Sequence, residues 1–122
     1  MGTYMTENGQ LLPHTDGMKK ILSLMLYFPD ENVPDEVRNK MGTSFYDCNE
    51  FALTADDIKN KSSNFEEAQE FKKRNNISLT LPFKKKNLYG FIKSHKSWHS
   101  VEPMKVNDNF IRKTMIINLL LV

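Results

Sequence analysis

The chain has 122 residues and a formal net charge of +2, which is enough length for one domain with a hydrophobic core. A composition of 39% hydrophobic and 26% charged residues excludes a disordered tail. No segment approaches the roughly 20 apolar residues of a membrane span, and the N-terminus carries no signal-peptide pattern. Because the lone Cys48 cannot form an internal disulfide, we expect a cytoplasmic protein.

The N-terminal part of the chain predicts strands. Asn8-Gly9 is a strong turn signal, so residues 2–7 are expected to form a hairpin with residues 11–16. Residues 21–28 are almost entirely apolar and lie between two lysines and a proline. A run of that length and composition predicts a strand that is buried on both sides.

The middle of the chain is predicted to be less regular. Residues 29–40 contain two prolines and several acidic residues, which indicates a connection with one helical turn after Pro34. Residues 42–46 predict a short strand. Residues 52–76 are rich in Asp, Glu, Lys, Asn and Ser, and we interpret them as an insert that contains one amphipathic helix, Phe65–Arg74.

The remaining strands are predicted at residues 77–83, 87–93, 97–101 and 111–121. Short strands separated by turn signals favour an antiparallel sandwich or barrel. The fold class predicted from the sequence is therefore mainly β with one inserted helix.

Two of the strands present one face with polar groups and one apolar face. In residues 21–28 the side of Ser23 is the polar one, and in residues 111–121 it is the side of Arg112. If the polar sides face a barrel interior, the apolar sides point outward and need a cover. We therefore expect either that the chain is the C-terminal part of a larger domain whose N-terminal helices pack there, or that it forms a homodimer through this face.

His14 and Asp16 are the first candidates for a functional site. Residues two apart on an extended strand point to the same side, so this imidazole and this carboxylate face one point. A metal needs a third ligand, for which His99 is the best candidate and His95, in a charged turn, is the alternative. Two histidines and one carboxylate form the facial set that leaves open positions on a non-haem Fe(II).

Arg112 and Thr114 are the second candidates, because they share a face of the last strand by the same two-residue rule. A guanidinium beside a hydroxyl is a good receptor for a carboxylate, since its fork can bind both oxygens. Lys113 is the alternative anchor. The order of a metal triad followed by a carboxylate receptor is more specific than either feature alone.

Four motifs in this order resemble those of the Fe(II)/2-oxoglutarate-dependent oxygenases, on the prolyl 4-hydroxylase-like branch. The resemblance covers nearly the whole chain except the insert at residues 52–76. The motifs are GQLLPHTD at residues 9–16, GTSFY at residues 42–46, SWHSVEP at residues 97–103 and RKT at residues 112–114. One departure is Leu11, where members of this branch often carry a tyrosine.

The resemblance implies a double-stranded β-helix, or jelly roll, in which residues 1–122 form a single catalytic-core domain without its N-terminal helical support. It implies that Fe(II) binds to His14, Asp16 and His99. The residues that it assigns to 2-oxoglutarate are Arg112, Thr114, Tyr27, which matches a tyrosine that often hydrogen-bonds the same carboxylate, and Val101, which matches an apolar wall.

The implied activity is hydroxylation of a protein side chain or a small molecule by O2, with decarboxylation of 2-oxoglutarate to succinate and with ascorbate as an accessory reductant. Two alternatives stay open: a catalytically silent metal-binding β-sandwich module, and a cupin-like metalloenzyme that does not use 2-oxoglutarate. The basic run Lys84-Lys85-Lys86 predicts a solvated loop, so neither a nucleic acid nor a membrane is expected as a partner.

Overall fold

The computed structural model describes residues 2–6, 10–16, 19–29, 33–47, 65–94, 96–103 and 111–122. This part of the chain is mainly β, and none of its helices is long and apolar enough to cross a membrane. In chain order its elements are β1 (Gly2–Thr6), β2 (Leu11–His14), β3 (Lys20–Phe28), α1 (Asp35–Arg38), β4 (Ser44–Asp47), α2 (Phe65–Arg74), β5 (Asn76–Thr80), β6 (Leu88–Ile92), β7 (His99–Val101) and β8 (Ile111–Leu120).

The described strands form two four-stranded antiparallel sheets. The first sheet has the order β1-β8-β3-β6, and the second sheet has the order β2-β7-β4-β5. The predicted mainly β class is confirmed, as are the inserted helix Phe65–Arg74 and the helical turn that follows Pro34.

The predicted hairpin between the first two strands is wrong. β1 pairs with β8 in the first sheet, from Gly2 opposite Met115 to Thr6 opposite Ile111, whereas β2 pairs with β7 in the second sheet. The ten-residue β8 offers β1 a full row of backbone partners, and this pairing satisfies a sheet edge that a local hairpin would leave open.

The inner side of the first sheet forms the core, as the alternation along β3 predicts. Met25 and Tyr27 on β3 are buried and pack with residues from the α1 region and the segment after β5. The Tyr27 and Phe83 rings lie 4.6 Å apart. The members of this cluster are Met25, Tyr27, Val33, Met41 and Phe83.

The outer side of the first sheet is apolar and solvent-accessible. Ile117 on β8 and Ile92 on β6 are 46% and 73% exposed, while the leucines on the same side of β3 are half-buried. β3 is therefore buried on one side only, and the prediction of burial on both sides is wrong. The homodimer through this face stays a prediction.

Helix α2 is joined to strand β7 through an aromatic cluster and a charge. The Phe71 ring lies 4.7 Å from Trp98 and 5.0 Å from Tyr46. Lys72 Nζ donates to the Glu102 carboxylate at 2.9 Å, and the Tyr46 hydroxyl donates to the other oxygen of that carboxylate at 3.1 Å. These contacts hold the chain on both sides of His99, which is the first residue of β7.

We expect Gly42→Ala to lower the free energy of unfolding by about 3 kcal/mol. A Cβ atom on Gly42 would lie 1.8 Å from the backbone oxygen of Leu81, so the backbone itself would have to move. Gly90→Ala is the matched control, because its Cβ would come closest to the flexible end of Leu24, at 2.7 Å, and would lie 3.3 Å from the nearest backbone atom, the Ser23 oxygen. Chemical denaturation of both variants tests this, and equal destabilisation of the two would contradict it.

Candidate metal centre

The pairing of β2 with β7 brings the two predicted histidine ligands together. His14 ends β2 and lies directly opposite His99, the first residue of β7. Their ring centroids are 4.3 Å apart. Asp16 follows β2 by two residues, so its carboxylate reaches the same end of the second sheet. A local spacing and one non-local strand pairing are thus enough to gather all three side chains.

The ligand atoms of these residues converge on one carboxylate oxygen. Asp16 Oδ1 lies 3.7 Å from Nε2 of His14 and 3.7 Å from Nε2 of His99. One ligand atom from each residue lies within 4.8 Å of the other two. A separation of 3.7 Å is too long for a hydrogen bond, so none of these atoms satisfies another.

Both imidazoles are oriented by backbone carbonyl groups of their own segments. Nδ1 of His14 lies 2.8 Å from the Leu12 oxygen, and Nδ1 of His99 lies 2.8 Å from the Ser97 oxygen. A carbonyl oxygen can only accept, so each Nδ1 carries a hydrogen, and in the neutral form of each ring the lone pair is then on Nε2. This is the tautomer and the supporting contact that metal-binding histidines normally have.

Burial favours the neutral form of His99 and leaves one oxygen of Asp16 without a hydrogen-bond partner among the described residues. Burial lowers the pKa of His99 to about 4, and the charge of His14 acts in the same direction while the Asp16 carboxylate opposes both. His99 is therefore neutral at neutral pH. Asp16 Oδ2 is buried and has no hydrogen-bond partner among the described residues. A buried carboxylate oxygen without a partner is costly, and a bound cation would offset that cost.

A cavity of about 90 Å³ adjoins the three side chains and extends between the two sheets. It contains polar groups from four strands and is otherwise apolar. Its lining consists of Leu11, His14, Asp16, Lys20, Ser23, Met25, Thr43, Phe91, His99, Val101, Arg112, Thr114 and Ile116.

Arg112 is the most unusual polar group of this cavity. It is 5% exposed, and no carboxylate of the described residues lies within salt-bridge distance of it. Its Nε donates to the Met41 oxygen at 2.8 Å, and its Nη1 donates to the Thr114 hydroxyl at 2.9 Å. Burial lowers the pKa of Arg112, although a guanidinium stays charged at neutral pH. A buried positive charge of this kind calls for an anionic partner.

Six of the seven predicted site residues line the cavity. Tyr27 does not line it but contacts two residues that do. The Tyr27 hydroxyl lies 2.9 Å from the Thr43 hydroxyl and accepts a hydrogen bond from the Thr43 amide at 3.0 Å. The Arg112 Cζ atom lies 5.3 Å from the Tyr27 ring centroid. Tyr27 therefore supports two lining residues, and its contact with a cosubstrate stays a prediction.

Lys113 and His95 were the alternative candidates for the carboxylate anchor and for the third metal ligand. Lys113 is exposed on the outer side of the first sheet, so it does not reach the cavity. His95 lies outside the described residues.

Several lining residues have no role predicted from the sequence. Ser23 and Met25 share their strand face with Tyr27, and Ile116 shares its face with Arg112, so the alternation along these strands was a usable signal. Lys20 is different, because the same alternation places it on the outer face.

Comparisons with models of protein families, with curated protein sequences and with solved structures gave no match. The function of this chain is therefore inferred from the geometry of the site and the resemblance of the motifs.

Proposed function

We propose that this protein is an Fe(II)- and 2-oxoglutarate-dependent dioxygenase that hydroxylates a protein side chain or a small molecule and converts 2-oxoglutarate to succinate. One observation carries the proposal. The His14, Asp16 and His99 ligand atoms converge at a cavity whose lining also includes Arg112, a buried guanidinium without a carboxylate partner among the described residues.

The donor set fits a ferrous ion. Two imidazole nitrogens with free lone pairs and one carboxylate are borderline and hard donors, and three protein ligands leave further positions for a cosubstrate and O2. Asp16 Oδ2 supports the same proposal, because it has no hydrogen-bond partner among the described residues while Lys20 lies on Oδ1, so Oδ2 is still available as a ligand for a cation. Fe(II) with O2 would supply the oxidising power for hydroxylation, coupled to decarboxylation of the cosubstrate.

Arg112 and Thr114 would hold the distal carboxylate of 2-oxoglutarate. The guanidinium already donates to Thr114, so its plane is fixed before an anion arrives. Because Arg112 is buried, a carboxylate bound there forms a charge-assisted pair with little screening by solvent. Val101 and Ile116 would exclude water from the apolar middle of the cosubstrate.

The strand pairing supports a jelly roll within this proposal. β1 pairs with β8, β2 with β7, β3 with β6 and β4 with β5. A long antiparallel hairpin that is folded over into two sheets has this nested pairing, and a jelly roll has this architecture. A reducing compartment would keep the iron ferrous, so a cytoplasmic location belongs to the proposal as well.

The test is turnover of the cosubstrate. We expect the protein with Fe(II), 2-oxoglutarate, ascorbate and O2 to release succinate slowly without a substrate, and the rate to fall to background when Fe(II) is chelated. Metal binding without any succinate would favour the silent binding module. Metal-dependent chemistry that is indifferent to 2-oxoglutarate would favour the cupin-like enzyme.

A further inference from the structure

Lys20 reaches the cavity because strand β3 contains an irregularity at its first residues. On β3, Lys20 has the same parity as the outward-facing Leu22. The register of β3 against β8 shifts between these two residues, since Lys20 lies opposite Leu120 and Leu22 lies opposite Leu119. One extra residue on β3 is the signature of a β-bulge, and such bulges redirect side chains near functional sites.

The redirected ammonium lies on the carboxylate of the candidate metal centre. Lys20 Nζ is 3.2 Å from Asp16 Oδ1, and the Lys20 and Asp16 side chains are 20% and 10% exposed. This is the same oxygen that lies 3.7 Å from Nε2 of each histidine. Lys20 is thus the counter-charge of Asp16.

A metal ion and the Lys20 ammonium cannot share this oxygen freely. Both are attracted to the lone pairs of Asp16 Oδ1, and they repel each other at the short distances that such sharing requires. A divalent cation carries the larger charge and gains the two histidines as further ligands. Metal binding therefore weakens the pair between Lys20 and Asp16 and frees the ammonium within the cavity.

Among the described lining residues, the charges of the loaded cavity leave one positive charge unbalanced. Lys20 and Arg112 are positive, Asp16 is negative, and histidines bind metals in their neutral form. A divalent metal adds two positive charges, and the dianion of 2-oxoglutarate cancels both of them. One positive charge is left over. In the proposed function the cosubstrate carboxylate pairs with Arg112, so the charge that is left without an anion is that of Lys20.

Lys93 strengthens the positive potential on this side. Burial lowers the pKa of Lys93, and the attraction of Asp16 opposes this shift, so Asp16 acts on a second ammonium as well. Lys93 Nζ donates to the Ser94 oxygen at 2.9 Å. When a metal binds to Asp16, Lys20 loses the carboxylate that lies 3.2 Å from its Nζ.

We propose that Lys20 is the counter-ion of Asp16 in the metal-free protein and that metal binding releases it to hold a carboxylate or phosphate group of the substrate. This inference rests on the proposed metal site and names an acidic substrate class for it.

Metal affinity tests the first half of the inference. Titration of the protein with Mn(II) should give a dissociation constant about tenfold lower for Lys20→Met than for the wild type, because the competing cation is gone. Lys19→Met, which removes an exposed neighbouring charge, should stay within about twofold of the wild type. An unchanged or weaker affinity in Lys20→Met would overturn the inference.

Absence of Mn(II) and Fe(II) binding in the wild type would instead remove the proposed metal site, so the two failures are distinguishable. Lys20→Arg keeps the charge and should bind Mn(II) like the wild type. If Lys20→Met does not fold, Lys20→Gln removes the same charge with a shorter polar side chain, and a tenfold gain in Mn(II) affinity supports the inference while an unchanged affinity overturns it.

Anion binding tests the second half. With Mn(II) and saturating 2-oxoglutarate bound, inorganic phosphate near the site would have a broadened phosphorus NMR signal. We expect the broadening to fall at least about fivefold in Lys20→Met and to persist in Lys19→Met. The same measurement on the methyl protons of acetate distinguishes a carboxylate from a phosphate. Broadening of neither probe, or equal broadening in Lys20→Met, would overturn the assignment of an acidic substrate.

Discussion

Replacing His99 with alanine is expected to lower the affinity of the protein for Fe(II) at least about 100-fold, because loss of an outer-shell partner alone typically costs 10- to 100-fold. His99 is one of three donors, and its Nε2 is already oriented by the bond from Nδ1 to Ser97. Anaerobic isothermal titration with Fe(II) measures the effect. The folded state should persist, since the variant removes a ring at the edge of the cavity rather than a member of the main core cluster.

His95→Ala is the matched control for this experiment. It removes the same side chain from the same segment, and His95 was the alternative ligand in the sequence analysis. We expect His95→Ala to bind Fe(II) like the wild type. Loss of binding in His95→Ala with retention in His99→Ala would show that the wrong histidine has been assigned to the metal.

Replacing Arg112 with methionine is expected to raise the dissociation constant for 2-oxoglutarate at least about 100-fold, which corresponds to about 2.7 kcal/mol. The side chain is buried, donates to Thr114 and has no carboxylate partner among the described residues, so an incoming carboxylate forms its strongest contact there. Methionine retains much of the volume of the side chain and removes the charge. Anaerobic equilibrium dialysis of labelled 2-oxoglutarate against the Fe(II)-loaded protein gives the constant directly.

Lys113→Met is the control for the Arg112 variant. Lys113 follows Arg112 in the sequence but is exposed on the outer side of the sheet, so its loss should change the dissociation constant less than about twofold. If the protein does not use 2-oxoglutarate, neither substitution should change its weak or absent binding of 2-oxoglutarate. Weaker binding in Lys113→Met alone would assign the anchor to the alternative residue.

Much of the candidate site could be predicted because it depends on local spacing. His14 and Asp16 are two residues apart, as are Arg112 and Thr114, and the alternation of an extended strand fixes which side chains share a face. The contribution of His99 needed the order of motifs, since a pairing across 85 residues (99 − 14) has no local signal.

The features that the sequence did not predict depend on long-range contacts or on a local irregularity of a strand. Asn8-Gly9 is a strong local turn signal, yet the partner of β1 is β8, more than one hundred residues away, and no short-range pattern encodes such a pairing. Lys20 was missed because a bulge reverses the side to which it points. The contact of the Tyr27 hydroxyl with Thr43 could not be predicted either, because it depends on the packing of two sheets, and the contact of Tyr27 with a cosubstrate stays a prediction.

The most direct test of the central claim is an anaerobic titration of the wild-type protein with Fe(II) and then 2-oxoglutarate, followed by visible absorption. Chelation of Fe(II) by a 2-oxo acid gives a charge-transfer band, and we expect this band to saturate at one equivalent of each component per chain. The band should be absent from His99→Ala. A folded wild-type protein that gives no band at saturating Fe(II) and 2-oxoglutarate would contradict the claim that this cavity is an oxygenase site.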